Sequence, residues 1–146
     1  MKRLTILGIA ALVAALSSCA TTRLPSMSEM LRDATGQDGR ACVDTSDIDG
    51  YGVLENNVIS IDGERDYYLA TVSPGCDDDD LATSVDGDFD RDFGDDSDEI
   101  CGESGDELDT DEGDCEIHQV FEFDDREEAF ETFNDVMEVR ERMGEE

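Results

Sequence analysis

The sequence predicts a mostly β fold, a small disulfide-bonded antiparallel sheet or barrel-like domain, followed by a C-terminal α-helix. Three observations carry this. Between residues 48 and 75, short runs of β-branched and aromatic residues alternate with clusters of Gly, Pro, Asn and Asp. Four cysteines, Cys42, Cys76, Cys101 and Cys115, follow an export-type leader. Ala129, Phe130, Phe133, Val136 and Met137 recur at three- and four-residue spacing, the period of a helix with one apolar face.

The leader comes first. Lys2 and Arg3 precede an apolar run from Leu4 to Leu16, interrupted only by Thr5 and Gly8. A basic start and a short apolar run are the layout of a secretory signal. A spanning helix needs about 20 apolar residues, so a permanent transmembrane anchor is disfavoured. The run ends in Leu16, Ser17, Ser18 and Cys19, which resembles the lipobox of bacterial lipoproteins. That resemblance implies a signal peptide over 1–18 and a Cys19 that carries a thioether-linked diacylglycerol and an acylated amino group. Each buried CH₂ contributes about 0.8 kcal/mol and a single chain holds only marginally, so several chains on one residue anchor firmly. Ala20 in place of an aspartate implies the outer membrane of a Gram-negative cell, facing the periplasm or the cell surface.

Residues 19–40 read as the lipidated cysteine and a flexible tether, rich in Thr, Ser, Pro25, Gly36 and Gly39. Within it, Ser26 and Glu29 are spaced to cap one short helical turn that contains Met27, Met30 and Leu31; a disordered spacer is the alternative. The β domain spans 41–123. Ile48–Leu54 is strand-like, Glu55–Asn57 a turn, Val58–Ile61 a strand, and Asp62–Gly63 a reversal. Tyr67–Val72 returns, with Tyr68, Ala70 and Val72 on one face and Tyr67, Leu69 and Thr71 on the other. Further short strands are expected around 81–85, 99–101 and 107–109, with Leu81, Val85, Ile100 and Leu108 turned to the core and Phe89 and Phe93 as further candidates. Glu116–Phe123 forms the last strand, with Ile117, Phe121 and Phe123 on one face. Residues 124–146 form the helix, with Asp124 as N-cap, Glu127 completing a capping box, Arg140 and Arg142 in the last turn and Gly144 at its end.

Charge is the dominant compositional feature. The 146 residues hold 41 Asp and Glu against 10 Lys and Arg, a net charge of -31, where a small domain usually carries a magnitude of about 2 to 8. Without residues 1–18 the chain retains eight arginines, no lysine and every acid, for -33. Such a surface excludes nucleic-acid binding, which needs Lys and Arg to neutralise phosphates, and the whole-protein charge opposes adhesion to an anionic membrane. Between Cys76 and Cys115, 19 of 38 residues are acidic and only Arg91 is basic. At about 1 M salt the Debye length is roughly 3 Å, so such a surface suits a saline medium, where its carboxylates hardly repel.

An exported chain with an even number of cysteines favours two disulfides over free thiols. Zinc is disfavoured by the lack of a CxxC pair and by the single histidine. Of three connectivities, the preferred one is nested, Cys76 with Cys101 and Cys42 with Cys115. Cys42 and Val43, the hairpin Val58–Val72, Gly75 and Cys76 with Leu81 and Ala82, Cys101 with Gly105 and Asp106, and Cys115 with Ile117 together resemble the small four-cysteine lipoproteins of domain of unknown function six-four-nine-one. The resemblance spans roughly 40–123 and implies an envelope lipoprotein with a small β domain; it brings no catalytic residues. The acidic loops and the terminal helix depart from it.

Asp86, Asp88, Asp90 and Asp92 place carboxylates at every second residue, as at the start of a calcium loop. Arg91 and Ser97 stand where such a loop needs its glycine and its bidentate glutamate, so a weak cation site, occupied by calcium or another cation, is the most these residues support. A looser site with Asp95, Asp96, Asp98 or Glu99 is a variant of it, and Asp109, Asp111 and Asp114, or Asp77–Asp80, form similar groups. His118 sits beside apolar residues on the parity opposite Ile117 and Phe121, where a structural histidine is favoured over a ligand. With no second histidine to serve a nucleophile, and no aromatic cleft around its many carboxylates, the chain is expected not to be an enzyme and to need no cofactor. The expected role is structural or interactive, at the membrane through Cys19 and with an envelope protein partner of unknown identity; the alternative is a low-affinity divalent-cation module.

Overall fold

Ser26 opens the first helix, α1 (Met27–Thr35), in a computed structural model that describes residues 23–74, 76, 88–91, 98–110 and 113–145. The Ser26 hydroxyl accepts from the Glu29 N–H at 3.3 Å, and the Glu29 carboxylate accepts from the Ser26 N–H at 2.8 Å. This is the reciprocal box that the spacing predicts. Gly36, at φ +69°, ends the helix by donating its N–H to the Arg32 carbonyl. Nine residues are too few for a stable isolated helix, and the burial of Met27, Met30 and Leu31 supplies what propensity does not. The flexible tether expected over 19–40 is thereby corrected: a docked helix occupies 27–35.

The strands follow as β1 (Val43–Asp44), β2 (Ile48–Leu54), β3 (Val58–Gly63), β4 (Tyr67–Val72), β5 (Asp88–Arg91), β6 (Glu99–Ile100), β7 (Asp106–Thr110) and β8 (Gly113–Phe123), and the chain closes with α2 (Arg126–Gly144). Asn56 and Asn57, at φ 60° and 61°, make the turn between β2 and β3, a conformation that Asn tolerates better than most residues. Six strands form an antiparallel sheet in the order β2-β3-β4-β8-β7-β5, and β1 pairs with β6 apart from it. The fold is the mostly β, disulfide-bonded one with a C-terminal helix that the sequence predicts. The strand expected over 81–85 lies outside the described residues, as do the positions of Leu81, Val85 and Phe93.

All six residues of β4 are buried, because the sheet carries a core on each face. Tyr68, Ala70 and Val72 join Ile59, Ile61, Ile100 and Leu108 on one side. Tyr67 and Leu69 lie on the other, under α1 and α2, with Phe121 and Phe123. Fully burying each large apolar side chain stabilises by about 1.5–3 kcal/mol, and β4 contributes to both layers.

β8 corrects one expectation. Ile117 and Phe121 share parity, yet Ile117 packs in the first core and Phe121 in the second. The register with β4 shifts between Thr71, opposite Gln119, and Val72, opposite Ile117. His118 is the extra residue of this bulge, and one extra residue reverses every side chain beyond it.

In α2, Ala129, Phe133 and Val136 are buried and Phe130 and Met137 pack at the margin, which is the predicted stripe. Its cap is Asp125 rather than Asp124. The Asp125 carboxylate accepts from the Glu128 N–H at 2.9 Å, and Glu128 in turn accepts from the Asp124 N–H at 3.1 Å. Two adjacent aspartates ahead of two glutamates allow the cap at either position, and the later aspartate takes it, with Glu128 reaching back to the residue before the cap.

Candidate functional site

The four cysteines and the Gly105–Asp106 turn converge on β8. β1 and β6 pair with Val43 opposite Ile100 and Asp44 opposite Glu99. One step further in that antiparallel register brings Cys42 opposite Cys101, and these two are bonded. Cys76 is bonded to Cys115, because the turn after β4 runs back along β8: the Ser73 N–H donates to the Glu116 carbonyl and the Cys76 N–H to the Ser73 carbonyl. The nested pairing, Cys76 with Cys101 and Cys42 with Cys115, is therefore replaced by an interleaved one. Strand register decides it, and no local spacing encodes that.

After Cys101 the chain makes a tight loop to Asp106, which is fully buried. One Asp106 carboxylate oxygen accepts from the N–H of Cys101 at 2.8 Å and of Glu103 at 3.0 Å. Gly102 and Gly105 sit at φ +69° and +98°, where only glycine is unstrained. Gly102 also lies on the backbone of Gln119. A strap over residues 37–41 then covers the part of β8 that β7 leaves open. Val120 donates to the Gly39 carbonyl at 2.9 Å, Ala41 donates to the Val120 carbonyl at 3.1 Å, and the Gln37 side chain pairs with both backbone groups of Glu122. Arg40 Nη1 donates to the Gly102 carbonyl at 2.7 Å and ties strap to loop.

On the face covered by α1 and α2, a groove of about 820 Å³ runs over Gln119 between the start of α1 and the end of α2. Arg23, Arg32 and Arg140 line it, with Ser28 and Glu29. Arg140 reaches across from α2, its Nη1 donating to the Pro25 carbonyl at 2.7 Å. The hydroxyls of Ser28 and Thr71 bond at 2.8 Å and fix α1 to β4. The Glu29 carboxyl is held below its ordinary range, first by the Ser26 N–H and hydroxyl, then by attraction to Arg32 and Arg23. A second, apolar groove of about 320 Å³ lies alongside, lined by Met30, Val136, Val139 and Met143 and sharing Pro25 with the first.

Residues 1–131 match the model of the family of unknown function DUF6491. The chain belongs to this family. No curated protein and no solved structure matches it. The DUF6491 match extends past the sheet to Glu131, so the first turns of α2 lie within it and only the remainder of the helix is outside.

Most of the other predicted site residues lie outside the described ones. Cys19 lies outside the described residues. So do Asp86 and Asp92 of the candidate cation site, while Asp88 and Asp90 fall in β5. Among the described residues no three His, Cys, Asp or Glu side chains are grouped to hold a metal ion. His118 stands exposed on the bulge. No described helix is long and apolar enough to cross a membrane. The arginine groove escaped sequence reasoning, since Arg140 lies over a hundred residues along the chain from Arg23 and Arg32, in a sequence dominated by acids.

Proposed function

We propose that this DUF6491 member is an exported envelope lipoprotein, lipidated on Cys19 and held at the outer membrane, facing the periplasm or the cell surface. Its β domain serves there as a non-catalytic structural or interaction module. The run Leu16-Ser17-Ser18-Cys19 behind a basic and apolar leader carries the proposal. Two disulfides favour it, since such bonds persist in oxidising compartments. An exposed lone histidine and four bridged cysteines supply no nucleophile with a base, which favours a non-catalytic role. The test is to express the full chain in a Gram-negative host with an alkyne-tagged fatty acid. Label on the wild type, lost in Cys19→Ser, and recovery in outer-membrane fractions are expected; an unlabelled chain in the soluble fraction would overturn the anchor.

A second reading is a weak divalent-cation module in the acidic loops. It is favoured by the density of carboxylates in the sequence, 19 among the 38 residues between Cys76 and Cys115, with Asp86, Asp88, Asp90 and Asp92 at every second position. Calorimetric titration with calcium in molar KCl separates the two readings, because a specific site gives a saturable, stoichiometric signal and a polyanionic surface gives none.

A further inference from the structure

We infer that the groove between the start of α1 and the last turns of α2 binds the phosphate of a phospholipid headgroup. It deepens the proposed anchoring and rests on Cys19 being lipidated.

The charge of this groove is the reverse of the charge of the molecule. Three of the eight arginines that remain after residue 18 line one concavity, against a single lining acid, Glu29. Among the described residues neither Arg23 nor Arg32 makes an ion pair within 4.0 Å. Glu29 already spends one carboxylate oxygen on the Ser26 N–H and hydroxyl. Arg140 uses one N–H on Pro25 and keeps the rest of its fork. An arginine offers five donors in a plane that matches phosphate oxygens. In a chain with 41 acids, three guanidiniums gathered around a groove that offers them one carboxylate, Glu29, leave donors for an anion from outside the chain.

The neighbouring surface selects an amphiphile over a free ion. The apolar groove meets the arginine groove at Pro25. Leu24, Val139 and Met143, 39%, 36% and 43% exposed, are the large apolar residues left exposed among the described ones, and all three lie at this end. Asp33 and Asp135 border the apolar groove and keep the surrounding surface anionic, so the cationic contact is confined to the arginines.

The tether supplies the third argument. Three residues separate Cys19 from Arg23, and the four steps of chain reach at most about 14 Å when fully extended. The polar layer of a bilayer is about 5 to 8 Å thick on each side. A Cys19 held by acyl chains therefore keeps Arg23 and the groove mouth within reach of lipid phosphates. A short tether makes the effective concentration of those phosphates on the order of millimolar or more, so a weak site is filled.

The test uses the full chain as made in Gram-negative cells, purified in nonionic detergent, with arginine Nε–H resonances followed by NMR. Dihexanoyl phosphatidylglycerol, added below its micelle-forming concentration, is expected to move Arg23, Arg32 and Arg140 together and saturably while Arg65 stays still. Arg32→Gln, which removes an exposed side chain, should weaken the titration about tenfold with unchanged circular dichroism; Arg140→Gln provides a second variant on the opposite helix. Static arginines, shifts of equal size at Arg65, or equally tight saturation by inorganic phosphate would overturn the headgroup site. The mass of the same sample reports the lipid on Cys19. Saturation in an unlipidated chain removes the anchor and keeps the groove, and static arginines in a lipidated chain do the reverse.

Discussion

Gly102 rests on the backbone of Gln119 with no space for a side chain between them: a Cβ at Gly102 would come within 2.7 Å of the Gln119 Cα and 3.0 Å of its nitrogen. Gly102→Ala therefore combines a left-handed φ of +69° with a backbone collision, and should cost about 2 to 4 kcal/mol. Gly36→Ala has the same φ and nothing within 4 Å, so it should cost about 1 kcal/mol. Urea unfolding of both variants measures the difference; equal losses would remove the collision.

The bridges Cys42–Cys101 and Cys76–Cys115 should be recovered by peptide mapping without reduction. Their sequence separations are 59 and 39 residues, and by chain entropy such loops differ by only about 0.4 kcal/mol. Replacing either pair by serine should thus cost a similar amount, about 2 to 4 kcal/mol. A loss confined to one pair would show that strain or local packing, and not loop closure, sets its value.

Asp106→Ala should destabilise by about 2 to 4 kcal/mol, because it leaves the N–H groups of Cys101 and Glu103 without their acceptor inside the domain. Asp106→Asn retains one acceptor oxygen and should lose less. Thermal unfolding at neutral pH ranks them, and an equal loss in both would mean that the carboxylate charge is what the loop requires.

The box at the start of α1 predicts a pH dependence. The Ser26 N–H and hydroxyl lower the Glu29 pKa below its ordinary 4.5, with Arg32 and Arg23 assisting. A lowered folded pKa gives stability that is complete above 4.5 and is lost as pH falls through the folded value. Amide exchange at Met30 and Leu31 should accelerate in that window, and Glu29→Gln should remove the increment. Ser26→Ala should cost about 1 kcal/mol at neutral pH.

Added NaCl should raise the unfolding midpoint of the chain, since at about 1 M the screening length of roughly 3 Å decouples neighbouring carboxylates. A flat or falling midpoint would remove the link between the acidic surface and a saline medium.

Much of the fold is legible in the sequence because its signals are local. Asn56 and Asn57 between two β-branched runs announce the β2–β3 turn, Ser26 and Glu29 announce α1, and the apolar period through Phe133 announces α2. What is not legible depends on partners distant in the chain. The cysteine pairing follows the register of two-residue strands, and the exchange of faces between Ile117 and Phe121 follows a bulge at His118 that leaves no compositional mark. The docking of α1 needs the sheet beneath it. The arginine groove exists only once residues 23, 32 and 140 are folded together, while the charge sum of the chain points the opposite way.

Because the two bridges interleave, a single backbone cut anywhere between Cys42 and Cys115 leaves one covalent body: every such cut falls inside at least one closed loop, and between Cys76 and Cys101 it falls inside both. The acidic stretch lies mostly in that doubly spanned interval. A protease that nicks it would change the mobility of the reduced protein on a gel and release nothing, so the C-terminal helix would stay attached to the N-terminal end of the chain.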